Sequence, residues 1–265
     1  MEMPEENQLE ECLRLAAGEP AHRPQFYEVL LNSQVYLLGT TGAPGVEGKV
    51  NLAQGSTVQL HHWERADGSS VIPFFSSFEV LQRSIESEQS YLALSARSLF
   101  EMTQGATLFL NPRSDYGKEF VPQEVEHLLT LGISHAPSER VVEKETQVLL
   151  GQPAEYPSKM VDSLTQLLAK HVNVQRAYLA LMHDASVDQK PYLTVGIEAE
   201  GDVEKVMREA GSVAGDTSPD GEPVYLYRLS SEDAGLSQYF INETTPFYER
   251  KWGAKLKSWL GAGRA

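Results

Sequence analysis

One cysteine, Cys12, stands in 265 residues. An internal disulfide and a paired-cysteine zinc or redox motif each need two thiols, so the sequence excludes them and a reducing compartment suits it best. Long apolar runs are lacking too: none approaches the ~20 residues that cross a bilayer as a helix. Basic residues are scarce, with 22 Lys and Arg against 37 Asp and Glu, a net charge of −15. That sign repels phosphate backbones, and nucleic-acid binding is not expected outside a local basic patch. The first twenty residues hold Glu2, Glu5, Glu6, Glu10, Glu11 and Glu19 in place of the positive start and apolar stretch of a secretory signal. The expectation is a soluble cytoplasmic protein with no membrane partner, its acidity serving solubility.

Catalytic patterns are missing in the same way. Gly48-Lys49 follows a glycine-rich stretch, but Ala43 stands where a phosphate loop needs its first glycine and Val50 where it needs a hydroxyl for magnesium. His61 and His62 are adjacent on a strand-like run, so they point to opposite faces and do not converge on one metal. His62 shares a face with Val58 and Leu60 and is expected as an inward, hydrogen-bonded histidine. His183, Asp184 and Ser186 carry the letters of a triad without its geometry, which brings side chains together from separate elements beside an oxyanion hole. Asp216, Asp220 and Glu222 lack the ligand spacing of a calcium loop. Cys12 lies on an apolar helix face among acids, which disfavours its thiolate. No catalytic residue, cofactor or metal site is expected.

What is present is a pattern of short helices and strands. Leu9, Cys12, Leu13 and Ala16 predict a helix ended by Gly18, and Pro24 opens a second that packs Phe26, Tyr27, Leu30 and Leu31. Val35–Leu38 reads as a strand, followed by a glycine-rich loop to 56. Runs 57–64 and 70–76 are joined at Asp67-Gly68, a hairpin signal. Pro73 places the second run at an edge or a bulge. Ser77 caps a helix carrying Phe78, Leu81 and Ile85, and 91–94, 98–104, 107–110, 118–121 and a helix from Pro122 follow. Periodicity lapses between 132 and 145. Beyond it come a strand at 147–150, a helix capped by Ser158, a long antiparallel pair at 174–183 and 192–199, a helix over 203–210 ended by Gly211, a strand at 224–229, and two closing helical stretches. The expected fold class is α+β: two mixed α/β domains, each a small sheet packed with helices, over 1–133 and 146–265 with a linker at 134–145.

Charge divides unevenly. Residues 1–133 hold 8 basic and 18 acidic residues, while 250–265 hold Arg250, Lys251, Lys255, Lys257 and Arg264 and no acid. Trp252, Leu256, Trp259 and Leu260 in that tail fall at i, i+4, i+7 and i+8, an amphipathic basic pattern that fits either docking on its own domain or a protein partner. Phe74, Phe75 and Phe78 crowd five positions after a run that Pro73 interrupts; core packing takes most of such a set, and part of it is left to face a partner. The candidate interaction surface is therefore Trp63, Phe74 and Phe75 in the first half and Tyr248, Arg250 and Trp252 near the C-terminus.

Six segments in order carry a resemblance: Glu19-Pro20-Ala21-His22-Arg23-Pro24; His62-Trp63-Glu64 through Asp67-Gly68 to Val71-Ile72-Pro73-Phe74-Phe75; Leu99-Phe100-Glu101-Met102-Thr103; Thr107-Leu108-Phe109-Leu110-Asn111; Gly117-Lys118-Glu119-Phe120; and Pro246 to Gly253. From about residue 8 to 254 the chain resembles the bacterial enhanced serine sensitivity protein SseB family. The resemblance implies a cytoplasmic bacterial protein with an N-terminal and a C-terminal domain, linked by name to serine tolerance, and it brings no catalytic residues. The functional expectation is a non-enzymatic interaction or regulatory protein with an unidentified protein partner. The alternative is a small-molecule sensor or enzyme of serine and one-carbon amino-acid metabolism, and self-association through the basic tail is a further expectation.

Overall fold

The computed structural model describes residues 6–41, 58–133, 148–184, 190–233 and 235–250. The chain divides into two units, Met1–Ser134 and His135–Ala265. The linker expected at 134–145 lies outside the described residues, as do most of the glycine-rich loop and the tail from Lys251.

In the first unit, Asn7 caps α1 (Gln8–Gly18). Its side chain accepts from the Glu10 N–H, and the Glu10 carboxylate accepts from the Asn7 N–H, a reciprocal box that satisfies two otherwise unpaired donors. The helix buries Leu9, Cys12, Leu13 and Ala16. A turn of 3₁₀ helix leads into α2 (Arg23–Asn32), which buries Phe26, Tyr27, Leu30 and Leu31. There follow β1 (Gln34–Thr41), β2 (Val58–Leu60), β3 (Trp63–Glu64), β4 (Ser70–Phe75), α3 (Phe78–Ser84), β5 (Tyr91–Ser95), α4 (Ala96–Met102), β6 (Leu108–Leu110), β7 (Lys118–Phe120) and α5 (Pro122–Leu131). The sheet runs β2-β1-β4-β6-β7, with β5 paired to β1 and β3 to β4; β4 and β6 are parallel and the other pairs antiparallel.

The register divides the sheet into two faces. Val35, Leu37, Ile72, Phe74, Leu92, Leu94, Leu108, Leu110 and Phe120 share one, because directly paired residues project to the same side. The residues of this face join Leu9, Leu13, Phe26, Leu30, Leu99, Phe100, Val125 and Leu128 in the main core beneath α1, α2, α4 and α5. The other face carries Tyr36, Leu38, Trp63, Val71, Pro73, Phe75, Tyr91 and Ala93. A separate small cluster of Leu38, Phe75, Val80 and Leu81 forms there under the seven-residue α3.

β4 is not an edge. It lies between β1 and β6, against the expectation drawn from Pro73. Ile72 donates to the Thr107 carbonyl and the Phe74 carbonyl accepts from Asn111, so these two residues direct their backbone toward β6. Pro73 is turned to the other flank, where the neighbour of β4 changes from β3 at Val71 to β1 at Phe74. A missing N–H at that break removes no ladder bond. His62 also departs from expectation. It is exposed and shares a 3.0 Å hydrogen bond with Ser70, because His61 and His62 form a two-residue step between β2 and β3 that resets the alternation.

The second unit contains β8 (Leu149–Gly151), α6 (Ser158–Lys170), β9 (Val174–His183), β10 (Tyr192–Ala199), α7 (Val203–Thr217), β11 (Val224–Leu229), α8 (Leu236–Glu243) and β12 (Tyr248–Glu249). Its sheet runs β11-β10-β9-β12, with β8 also on β9; only β10 and β11 are parallel. Ser158 is the first helical residue of α6 rather than its cap. α7 continues through Gly211 to Thr217, burying Ala210, Gly211, Ser212, Val213 and Ala214. A mid-helix glycine costs about 1 kcal/mol against alanine, and packing of a whole small-residue stripe outweighs that. The fold is α+β, with two mixed sheets each packed by helices.

Candidate interaction surface

The thinly covered face of the first sheet gathers aromatic rings. Phe75 is fully buried, and Trp63 on β3 packs edge-on to it with ring centres 6.2 Å apart. The Arg113 guanidinium lies 4.8 Å from the centre of the Trp63 ring and donates to the Ser84 carbonyl at the end of α3. Stacking of this kind fixes a cation on a half-exposed indole, a pairing suited to contact with another protein. Alongside, Tyr36, Phe78 and Tyr91 form a triangle with centre separations of 6.2, 6.3 and 4.8 Å. Tyr36, Trp63 and Phe78 are half-buried, and Tyr91 is 46% exposed. One short helix cannot roof the whole face, so the rim of its cluster stays open.

Phe74 and Phe75 do not belong to this surface. Both are 0% exposed. Phe74 points into the main core, 6.0 Å from both Phe100 and Phe120, and Phe75 lies beneath α3. Full burial of a phenylalanine contributes about 1.5–3 kcal/mol, too much for the fold to release either ring to a partner at rest. The reason is topological: an interior strand with both faces covered buries consecutive side chains.

Below the aromatic rim, at the C-terminal ends of parallel β4 and β6, polar groups are tied together. The Ser76 and Ser77 hydroxyls donate to Glu10 Oε1 at 2.7 and 2.8 Å. The Asn111 side chain accepts from the Ser76 N–H and donates to the Ser76 hydroxyl, both at 2.9 Å. Asn111 has φ of 51°, a left-handed backbone that asparagine tolerates better than most residues. Gly117 lets the turn close: a Cβ there would meet the Asn111 carbonyl at 2.8 Å. The ends of parallel strands are a usual place for ligands, but this cluster is saturated by its own bonds and fastens α1 to the β4–α3 turn. A second buried network joins Tyr27, Glu124 and Lys118, with the Lys118 ammonium 2.9 Å from the Glu124 carboxylate. Among the described residues no group of three or more His, Cys, Asp or Glu is placed to hold a metal ion.

In the second unit Tyr248 is 9% exposed and pairs with Ala177 of β9. Arg250 donates to the carbonyls of His171 at 2.6 Å, Val174 at 3.0 Å and Ala169 at 3.5 Å. A guanidinium is thus spread over carbonyls between the end of α6 and the start of β9, where a cation also suits the helix dipole. Both residues are occupied in holding β12 in place, which corrects their reading as free contact surface. Trp252 lies outside the described residues. His171 further pairs with Glu209 of α7 at 2.9 Å. On the β9 strand Tyr178 is buried beside Phe240 of α8, and burial pushes its phenol above the ordinary value, against the pull of Arg176 and with the push of Glu198 and Glu249.

With the geometry of both units in place, comparison with known proteins is decisive. The SseB protein N-terminal domain matches residues 9–127, and the SseB protein C-terminal domain matches residues 142–250. The chain belongs to the SseB family. Protein SseB of Escherichia coli (strain K12) and Protein SseB of Shigella flexneri are each 41% identical to it over 251 residues, 95% of either chain. No solved structure matches. No helix among the described residues is long and apolar enough to cross a membrane.

Of the sequence-derived site residues among those described, Trp63 alone lies on the open aromatic rim. Tyr36, Tyr91 and Arg113 were not singled out, and Phe78 was grouped with Phe74 and Phe75 without entering the candidate surface. Their spacing carries no common period, since they come from β1, α3, β5 and the turn after β6. The signal for Phe78 was present, three positions past Phe75.

Proposed function

We propose that this SseB-family chain is a non-enzymatic interaction or regulatory protein of the cytoplasm. It binds a protein partner through the aromatic and cationic rim of its first unit. The observation that carries the reading is the Arg113–Trp63 stack beside the half-open Tyr36–Phe78–Tyr91 triangle. Tryptophan, tyrosine and arginine dominate the energetics of protein interfaces because each brings a large area at low conformational cost, with one polar end for orientation. The link to serine tolerance in the family's name is the phenotype through which the partner acts.

The test uses full-length protein in cells that lack it. Wild type restores serine tolerance and retains a partner in affinity capture. Trp63→Ala combined with Phe78→Ala, at equal expression and with an unchanged circular dichroism spectrum, loses both. Equal tolerance and an equal set of retained proteins for the two forms would defeat the reading.

A further inference from the structure

We infer that the chain pairs with a second copy of itself through the free edge of β5, in an antiparallel arrangement about a twofold axis at Ala93. Among the described residues β5 is paired along one side only, with β1. Ser90 accepts from the Gly39 N–H at 3.1 Å, and Ala96 donates to the Ser33 carbonyl at 3.0 Å. Antiparallel ladders alternate, so Leu92 and Leu94 direct their backbone groups toward β1 as Ser90 and Ala96 do. The N–H and C=O groups of Tyr91, Ala93 and Ser95 are therefore turned outward. All three of these residues are exposed.

Such an edge usually carries a lysine, a proline or a bulge that discourages pairing. Between Ser90 and Ala96 there is no charge and no proline. The end strands β7 and β11 differ: β7 carries Lys118 and Glu119, and along β11 only Arg228 is exposed.

Charge selects the occupant. Exposed Glu86 and Glu88 precede β5, and exposed Arg97 follows it. A twofold axis at Ala93 sets Tyr91 opposite the partner's Ser95 and Ala93 opposite the partner's Ala93, so that every outward N–H meets an outward C=O. The same operation brings the glutamates of each copy to the partner's Arg97. A small residue on the axis lets the strands close, and closed twofold dimers are the commonest assembly of soluble proteins. A uniformly basic peptide would meet Arg97 as well as the glutamates. The edge shares Tyr91 with the partner-binding rim proposed above but not Trp63: Tyr36 pairs with Ala93 on one side and Phe75 on the other, so β5 and β4 flank β1, and Trp63 pairs with Val71 of β4 rather than with β5.

Sedimentation velocity of the full chain over a wide concentration range reads the equilibrium. Wild type should shift from monomer to dimer with rising concentration. Ala93→Lys sets like charges against each other on the axis and should raise the dimer dissociation constant at least tenfold, while Trp63→Ala should leave it unchanged. Glu88→Lys or Arg97→Glu alone should weaken the dimer, and the two together should restore it. Ala93→Cys gives a second readout. Directly hydrogen-bonded strand residues have Cα atoms about 5.5 Å apart, within disulfide reach, so mild oxidation should yield a covalent dimer; the native Cys12 is buried. Wild type that stays monomeric throughout, Ala93→Lys that dimerises like wild type, or Ala93→Cys that fails to cross-link would each overturn the inference.

Discussion

Asp67 accepts from the Ser69 hydroxyl at 2.6 Å and from the Ser69 N–H at 2.9 Å, and these bonds hold its carboxyl below the ordinary 3.8, with Arg65 adding to the pull. Gly68 supplies the positive φ of 81° that the turn between β3 and β4 requires. A carboxyl whose value is lower in the folded chain contributes stability at pH above its unfolded value, and that contribution disappears as pH falls through the folded one. The titration of Asp67 followed by NMR should therefore have its midpoint below that of an unstructured peptide with the same residues. Asp67→Ala should remove the corresponding acid-side loss from pH-dependent melting curves. Identical midpoints would separate the turn from its charge. Asp-Gly was legible as a hairpin in the sequence because the turn is local. His62 was not, because the two-residue break before β3 is set by pairing to two different strands, which period-two alternation does not contain.

Elements were legible where one face is buried and the pattern is long. α1, α2 and α6 carry their period openly, and each occurs where the spacing places it, while the β9–β10 pair shows through the length of its two apolar runs. Pro73 and Gly211 misled for a shared reason: local propensity costs about 1–3 kcal/mol, and tertiary placement removes or outweighs it. The consecutive apolar run of β4 reflects burial on both faces, a pattern that leaves no alternation to show which ring points where. Arg250 belongs to the same scale, since it joins the end of α6 to β12. Arg250→Ala should lower the urea unfolding free energy of the chain by about 1.5–3 kcal/mol, the range for hydrogen bonds to a charged group. Arg250→Lys should recover less than half, because an ammonium does not reproduce the planar fork over separate carbonyls. An unchanged midpoint in both would mean that the tail segment is held by the β12 ladder alone.

At the scale of the whole molecule, composition narrows the expectations before any motif is read. One cysteine, a net charge of −15 and the lack of a motif pointed away from redox, nucleic-acid and phosphate-loop chemistry, and the ordered segments pointed to the family that the 41% identity establishes. Within the aromatic rim, the candidate surface read from the sequence held Trp63 alone. The rim is assembled from five separate stretches of the first unit, and long-range pairing rather than spacing brings them together. The acidic first half suits a partner with basic or mixed charge, so association through the rim should weaken as salt rises. Its position can be read in living cells by placing a photo-cross-linking amino acid at Trp63 or Phe78, with Val172, 81% exposed in the second unit, as the reference site. The account predicts irradiation adducts to another protein from positions 63 and 78 and none from 172. No adduct from either rim position, or the same adducts from all three, would contradict it.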